Sequence, residues 1–79
     1  MRITILSLKG VEYEGEIKSL NIKTQAGEIT VLDRHIPLIS ILEKGVAVVT
    51  DMKGNIKKLS VNSGFLKVGK QNSATVLVS

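Results

Sequence analysis

Cysteine is absent from the 79 residues, which removes a disulfide framework, a thiolate metal site and a cysteine nucleophile together. Aromatics are almost as scarce. Tyr13 and Phe65 stand alone, so a core has to be built from Ile, Leu and Val, a composition that favours strands. Two aromatics also make a poor platform for stacking bases. No apolar run approaches the ~20 residues that a membrane helix needs, and Met1-Arg2-Ile3 leads into a strand pattern rather than a signal peptide's apolar region. The expectation is a soluble chain that stays where it is made. Histidine occurs once, at 35, and proline once, at 37. His35 would have to draw on Asp33 and Glu28 to hold a metal, a weak donor set, and a serine nucleophile would have no other base. The glycines are spread one per turn, not gathered into a phosphate-cradling loop. No catalytic residue, metal, cofactor or small-molecule substrate is expected.

What the chain does have is strand rhythm. Its length makes one domain, residues 1–79, of a size that buries only about 60% of the unfolded surface. Ile3 and Ile5 alternate with Arg2 and Thr4, after which Leu6 and Leu8 take the opposite phase, as at a bulge. Val11 and Tyr13 alternate with Glu12 and Glu14, whose acids, with Glu16, read as a solvated edge rather than an acid–base pair. Ile17, Leu20 and Ile22 follow, with a phase slip at Lys18-Ser19. Further apolar runs lie at 29–32, 38–42, 46–50, 56–61 (with a second slip at Lys57-Lys58), 65–68 and 74–78, separated by Gly, Asn, Asp and Ser. The reading is an all-β fold, a two-sheet β-sandwich of about nine to ten short strands. Ile5, Leu20, Ile22, Val31, Val48, Val61 and Phe65 are expected inside, and truncating Phe65 is expected to cost about 3–5 kcal/mol.

The net charge of +4 raises the question of nucleic acid. The lysines are scattered singly, and only Lys57-Lys58 is a pair. This scatter argues against a nucleic-acid partner, and none is expected; the alternative reading is a stand-alone basic β-barrel that binds nucleic acid or another ligand through Lys57, Lys58, Lys67 and Lys70, with steep salt dependence.

The other reading starts from the stretch 27–45, in which two apolar runs flank Asp33-Arg34-His35-Ile36-Pro37. Pro37 has no N–H for a ladder and biases Ile36 toward extended geometry, so the chain should turn here and re-enter a sheet just after it. The run from Gly27-Glu28 to Pro37-Leu38-Ile39 resembles the signature G-E-x-G-V-L-P-G-H-A-P-L-L of the epsilon subunit of the rotary proton ATP synthase. Val11-Glu12-Tyr13-Glu14-Gly15-Glu16 is similar to that family's V-x-F-E-G-E. Ser63-Gly64-Phe65-Leu66-Lys67-Val68 resembles S-G-G-F-L-E-V, and Thr75-Val76-Leu77 its closing T-V-L. Lys44-Gly45 falls where the family has P-G. The likeness spans essentially the whole chain. Asp33-Arg34 replaces Pro-Gly at the tip, Thr30 replaces a glycine, Lys44 a proline, and Asn62 shifts S-G-G to N-S-G.

The resemblance implies a non-catalytic subunit at the foot of the rotor stalk, held against the gamma subunit on one side and the membrane-embedded c-ring on the other. Its place would be the periphery of the membrane, on the cytoplasmic face of a bacterial plasma membrane or the equivalent face of an organelle. Carried over by position, Gly27, Glu28, Asp33, Arg34, His35 and Pro37 are the expected c-ring contacts, gathered at one end of the sandwich. Family members commonly continue into two C-terminal helices that can restrain ATP hydrolysis. This sequence stops at Ser79, so it is expected to support assembly and coupling without inhibiting through a helical arm.

Overall fold

In the computed structural model, which describes residues 1–79, the alternation becomes eight strands. They are β1 (Arg2–Ser7), β2 (Gly10–Thr24), β3 (Gly27–Leu32), β4 (Leu38–Ile41), β5 (Gly45–Asp51), β6 (Ile56–Val61), β7 (Gly64–Val68) and β8 (Ser73–Val78). The first sheet runs β4-β7-β8-β1-β2 and the second β3-β2-β5-β6. Only β1 and β8 are parallel; every other pair is antiparallel. Strand β2 serves both sheets: its first half pairs with β1 and its second with β3 and β5. The strand count falls short of nine because Gly15 does not end a strand, so the two runs expected on either side of it form the single 15-residue β2.

Both early slips are present as register shifts, between Ile5 and Leu6 and between Ile17 and Ser19. At the first, Ile5 pairs with Tyr13 and Leu6 with Val11, leaving Glu12 as the extra residue. A bulge puts the residues on either side of it on opposite faces. Tyr13 therefore packs against the core while Val11, expected beside it, is exposed. The slip expected at Lys57-Lys58 is not there, and β6 keeps unbroken register with β5. Regular alternation turns Ile56 outward, and Lys57 lies with its ammonium 5.9 Å from the centroid of the Tyr13 ring, its charge held over a π face.

The interior is a single cluster of fifteen buried apolar residues, with Ile3, Ile5, Ile17, Leu20, Ile22, Val31, Val49, Leu66 and Val76 fully enclosed. It contains no aromatic ring. Val48 and Phe65 correct the expectation: Val48 is half-buried, with Ala47 and Val49 facing in, and Phe65 is 43% exposed, with Leu66 and Val68 facing in. From Val46 to Val49 every residue is apolar enough for either face, so alternation cannot fix the phase there, whereas in β7 the exposed Lys67 shares the face of Phe65 and marks it as outward. Pairing fixes the phase. Gly64 opens β7 opposite Val78 with φ near +140°, and a Cβ there would lie 1.8 Å from the carbonyl oxygen of Leu77. Only glycine fits that approach, and the next residue, Phe65, then points outward.

Candidate functional site

The connection from β3 to β4 carries the chain from the second sheet to the first. It begins with a tight turn in which the His35 amide donates to the Leu32 carbonyl at 3.1 Å. Arg34, the third residue of that turn, has φ of +61°, whereas Asp33 stays in the ordinary region. This is the pattern of a type II turn, which prefers proline second and glycine third. Asp33-Arg34 thus keeps the turn shape for which Pro-Gly is suited, with an L side chain in the left-handed region at a cost of about 1–2 kcal/mol.

Cross-links from another loop hold this strained corner. Asn72, in the β7–β8 turn and itself at φ +54°, accepts the Arg34 amide on Oδ1 at 2.7 Å and donates from Nδ2 to Asp33 Oδ1 at 2.9 Å. Its carbonyl accepts the Arg2 amide at 3.1 Å. Asp33 Oδ1 also receives the Met1 ammonium at 2.7 Å, a group that donates to the Ile17 carbonyl at 3.3 Å and lies 3.5 Å from Glu16. The hydrogen bond from the ammonium, followed by that from Asn72, holds the Asp33 carboxyl below the ordinary carboxylate range. The same contact with Asp33 raises the amine above its ordinary value. His35 is half-buried with Nδ1 2.7 Å from the Ile36 carbonyl, Pro37 is exposed, and β4 starts immediately after it, as expected.

Gly27 and Glu28 are elsewhere. Gly27 closes the β2–β3 turn, where buried Thr24 donates to its carbonyl at 2.8 Å, and Glu28 stands opposite Lys23. Five residue steps along the extended strand separate Glu28 from Asp33, a span of about 17 Å. The six expected contact residues therefore do not gather at one end of the sandwich. They follow one edge instead, because β3 pairs only with β2 and its other side is free.

A second surface had no expectation attached to it. In the first sheet Ile41, Phe65, Leu77, Leu6 and Val11 are cross-strand neighbours in register, forming a row across five strands of the outer face, about 19 Å long. Ile41 is 56% exposed, Val11 59%, and Ile39, two residues from Ile41 on the same face, 72%. The signal was partly available: in β4 the outward positions, Ile39 and Ile41, are both apolar, whereas β1 and β8 contribute one outward leucine each, Leu6 and Leu77, among Arg2, Thr4, Ser73 and Thr75. Leu6 and Leu77 in the middle of the row are half-buried between these exposed residues, and an apolar strip of this kind suits an interaction surface.

The lysines of the basic-barrel reading do not converge. Lys57 and Lys58 lie on β6 at an edge of the second sheet, whereas Lys67 and Lys70 lie on β7 and the turn after it in the first. No three of His, Cys, Asp and Glu cluster as metal donors, and no buried side-chain polar atom lacks a partner.

The sequence profile of the family described as ATP synthase, Delta/Epsilon chain, beta-sandwich domain matches residues 1–79. The mitochondrial ATP synthase subunit delta of Caenorhabditis elegans is 39% identical over 78 residues, covering 98% of this chain and 48% of that protein. The ATP synthase epsilon chain of Anoxybacillus flavithermus is 35% identical, covering 98% and 56%. That of Sulfurovum is 29% identical, covering 98% and 60%. The chain thus spans about half to three-fifths of the length of these relatives. In fold it is similar to a chain of the Euglena gracilis mitochondrial ATP synthase, with TM-score 0.90 at 19% identity, covering 96% of this chain and 48% of that one. A chain of the Tetrahymena thermophila mitochondrial ATP synthase central stalk and c-ring gives 0.83 at 13%, covering 99% and 62%.

Proposed function

The chain belongs to the family of the ATP synthase delta/epsilon β-sandwich domain, and from that premise we propose that it is a non-catalytic subunit of the rotor's central stalk. It joins the gamma subunit to the c-ring, so that proton-driven rotation reaches the catalytic head. The observation that supports this reading is that one sandwich carries an apolar sheet face and, apart from it, a free polar strand edge. The apolar row on the outer face of the first sheet suits a large, dry protein contact, and gamma is the partner assigned to it. The free β3 edge is polar and runs from Gly27 and Glu28 to Asp33, Arg34, His35 and Pro37. It suits the small polar loops of a ring of identical subunits, where residues about 17 Å apart meet different copies of the loop. No helix of the structure is long and apolar enough to cross a membrane, and attachment to the membrane is through the ring.

Adding the chain to ATP synthase depleted of its epsilon subunit tests this. Proton pumping driven by ATP hydrolysis should be restored, and the chain should sediment with membranes that carry gamma and the ring. Failure to bind such membranes, with binding to nucleic acid that weakens steeply with salt, would favour the basic-barrel reading instead.

A further inference from the structure

Beside the tip, a groove of about 490 Å³ lies between residues 37–39 on one side and residues 67–70 on the other. Its floor is apolar, formed by half-buried Leu38 and buried Val68. Exposed Lys67 and Lys70 stand at its rim, and neither has an ion-pair partner within the chain. The acids that could neutralise them are committed elsewhere. Asp33 holds Met1 and Asn72. Glu14 shares the cross-strand row of Lys67, Thr75 and Thr4 but is three strands away and lies 3.6 Å from Arg2.

Ile39 is paired directly with Lys67, so the groove opens into the exposed apolar row without a break. We propose that this groove is a docking site for a carboxylate-bearing, otherwise apolar segment of the partner protein that covers the outer face of the first sheet. The partner's aliphatic side chains lie over Ile39, Ile41 and Phe65, and its carboxylates meet the two ammonium groups. Burial supplies affinity, whereas the rim charges select the partner and its register.

The assignment rests on the rotor reading for the identity of the partner, but not for the chemistry of the groove. The test therefore has two arms. In the first, the isotope-labelled chain is titrated with a blocked peptide carrying two glutamates among leucines, with its glutamine counterpart, and with phosphatidylglycerol vesicles. The glutamate peptide should shift the amides of Ile39, Lys67 and Lys70 and bind roughly three- to tenfold more tightly than the glutamine one, the worth of two exposed ion pairs. The preference should vanish in Lys67→Glu with Lys70→Glu and persist in Lys57→Glu with Lys58→Glu. In the second arm, binding of the same variants to membranes carrying gamma and the ring should weaken by a similar factor for the first pair only. Lys67→Gln with Lys70→Gln repeats both arms without introduced acid. Equal binding of the two peptides, or a response to vesicles alone, overturns the proposal. If the peptide discriminates but the membranes do not bind the chain, the groove stands and the rotor reading fails. If the membranes bind every variant alike, the rotor reading stands and the groove assignment fails.

Discussion

Arg34 shows how one side chain can be wrong for its backbone and still be held there. Its φ of +61° disfavours any L residue, and its amide is secured by the Asn72 side chain. Because this is the glycine position of the turn, Arg34→Gly should stabilise the chain by roughly 0.5–1 kcal/mol, the relief of left-handed strain less the extra freedom of unfolded glycine. Chemical denaturation would detect that as a raised midpoint at unchanged slope. A lowered midpoint would mean that the arginine side chain makes contacts worth more than the strain.

Titration belongs to the same scale. Asp33 is held below its ordinary value by Met1 and Asn72, and Asp51 by hydrogen bonds first from the Asn55 backbone and then from its side chain and the Lys53 backbone. A depressed carboxyl contributes stability that is complete above its unfolded value of 3.8 and is lost as pH falls through the depressed folded value. The Met1 amine, raised from 8.0, contributes below that value and loses its contribution as pH rises through the raised one. Melting temperature should therefore be flat between those limits and fall on both sides. Asp33→Asn combined with Asp51→Asn should flatten the acid limb, and an acid limb of unchanged depth would show that these carboxylates are not its source.

Among the elements, β7 separates what sequence reveals from what it hides. The run of Phe65, Leu66, Lys67 and Val68 marks a strand, and the strand is there. Its phase is legible only from Lys67, which shares the face of Phe65 and points to solvent, against the size of the phenyl ring, which favours the core. Leu66 is fully buried and Phe65 43% exposed, so Leu66→Ala should cost about 2–5 kcal/mol and Phe65→Ala under ~1.5 kcal/mol, as for partial loss of a half-covered side chain. The reverse order in denaturant melts would place the phenyl ring in the core after all. The bulges at Ile5 and Lys18 were readable for the opposite reason: there polar and apolar residues change places, and the phase slip is explicit. The tip was legible as a turn followed by re-entry after Pro37, whereas its clamp by Asn72, 39 residues away from Asp33 in sequence, had no local signal. Pairing across two sheets created it. The free β3 edge was equally hidden, since an edge is defined by the strand that does not pair with it.

On the scale of the whole molecule, the sandwich presents an apolar sheet face and a polar sheet edge in two places, and the account assigns gamma to the first and the c-ring to the second. Single rim changes are expected to do little, because exposed ion pairs contribute about 0.2–1 kcal/mol each. Glu28→Ala combined with Arg34→Ala should loosen attachment to the ring and lower proton-coupled synthesis while the grip on gamma persists. The most direct test is cross-linking in the assembled enzyme from Glu28→Cys and Arg34→Cys, placed at opposite ends of the β3 edge, with Lys58→Cys on the far edge of the same sheet as control. Ring adducts are expected from both β3-edge positions and none from the control. Adducts to gamma alone, with none to the ring, would contradict that assignment.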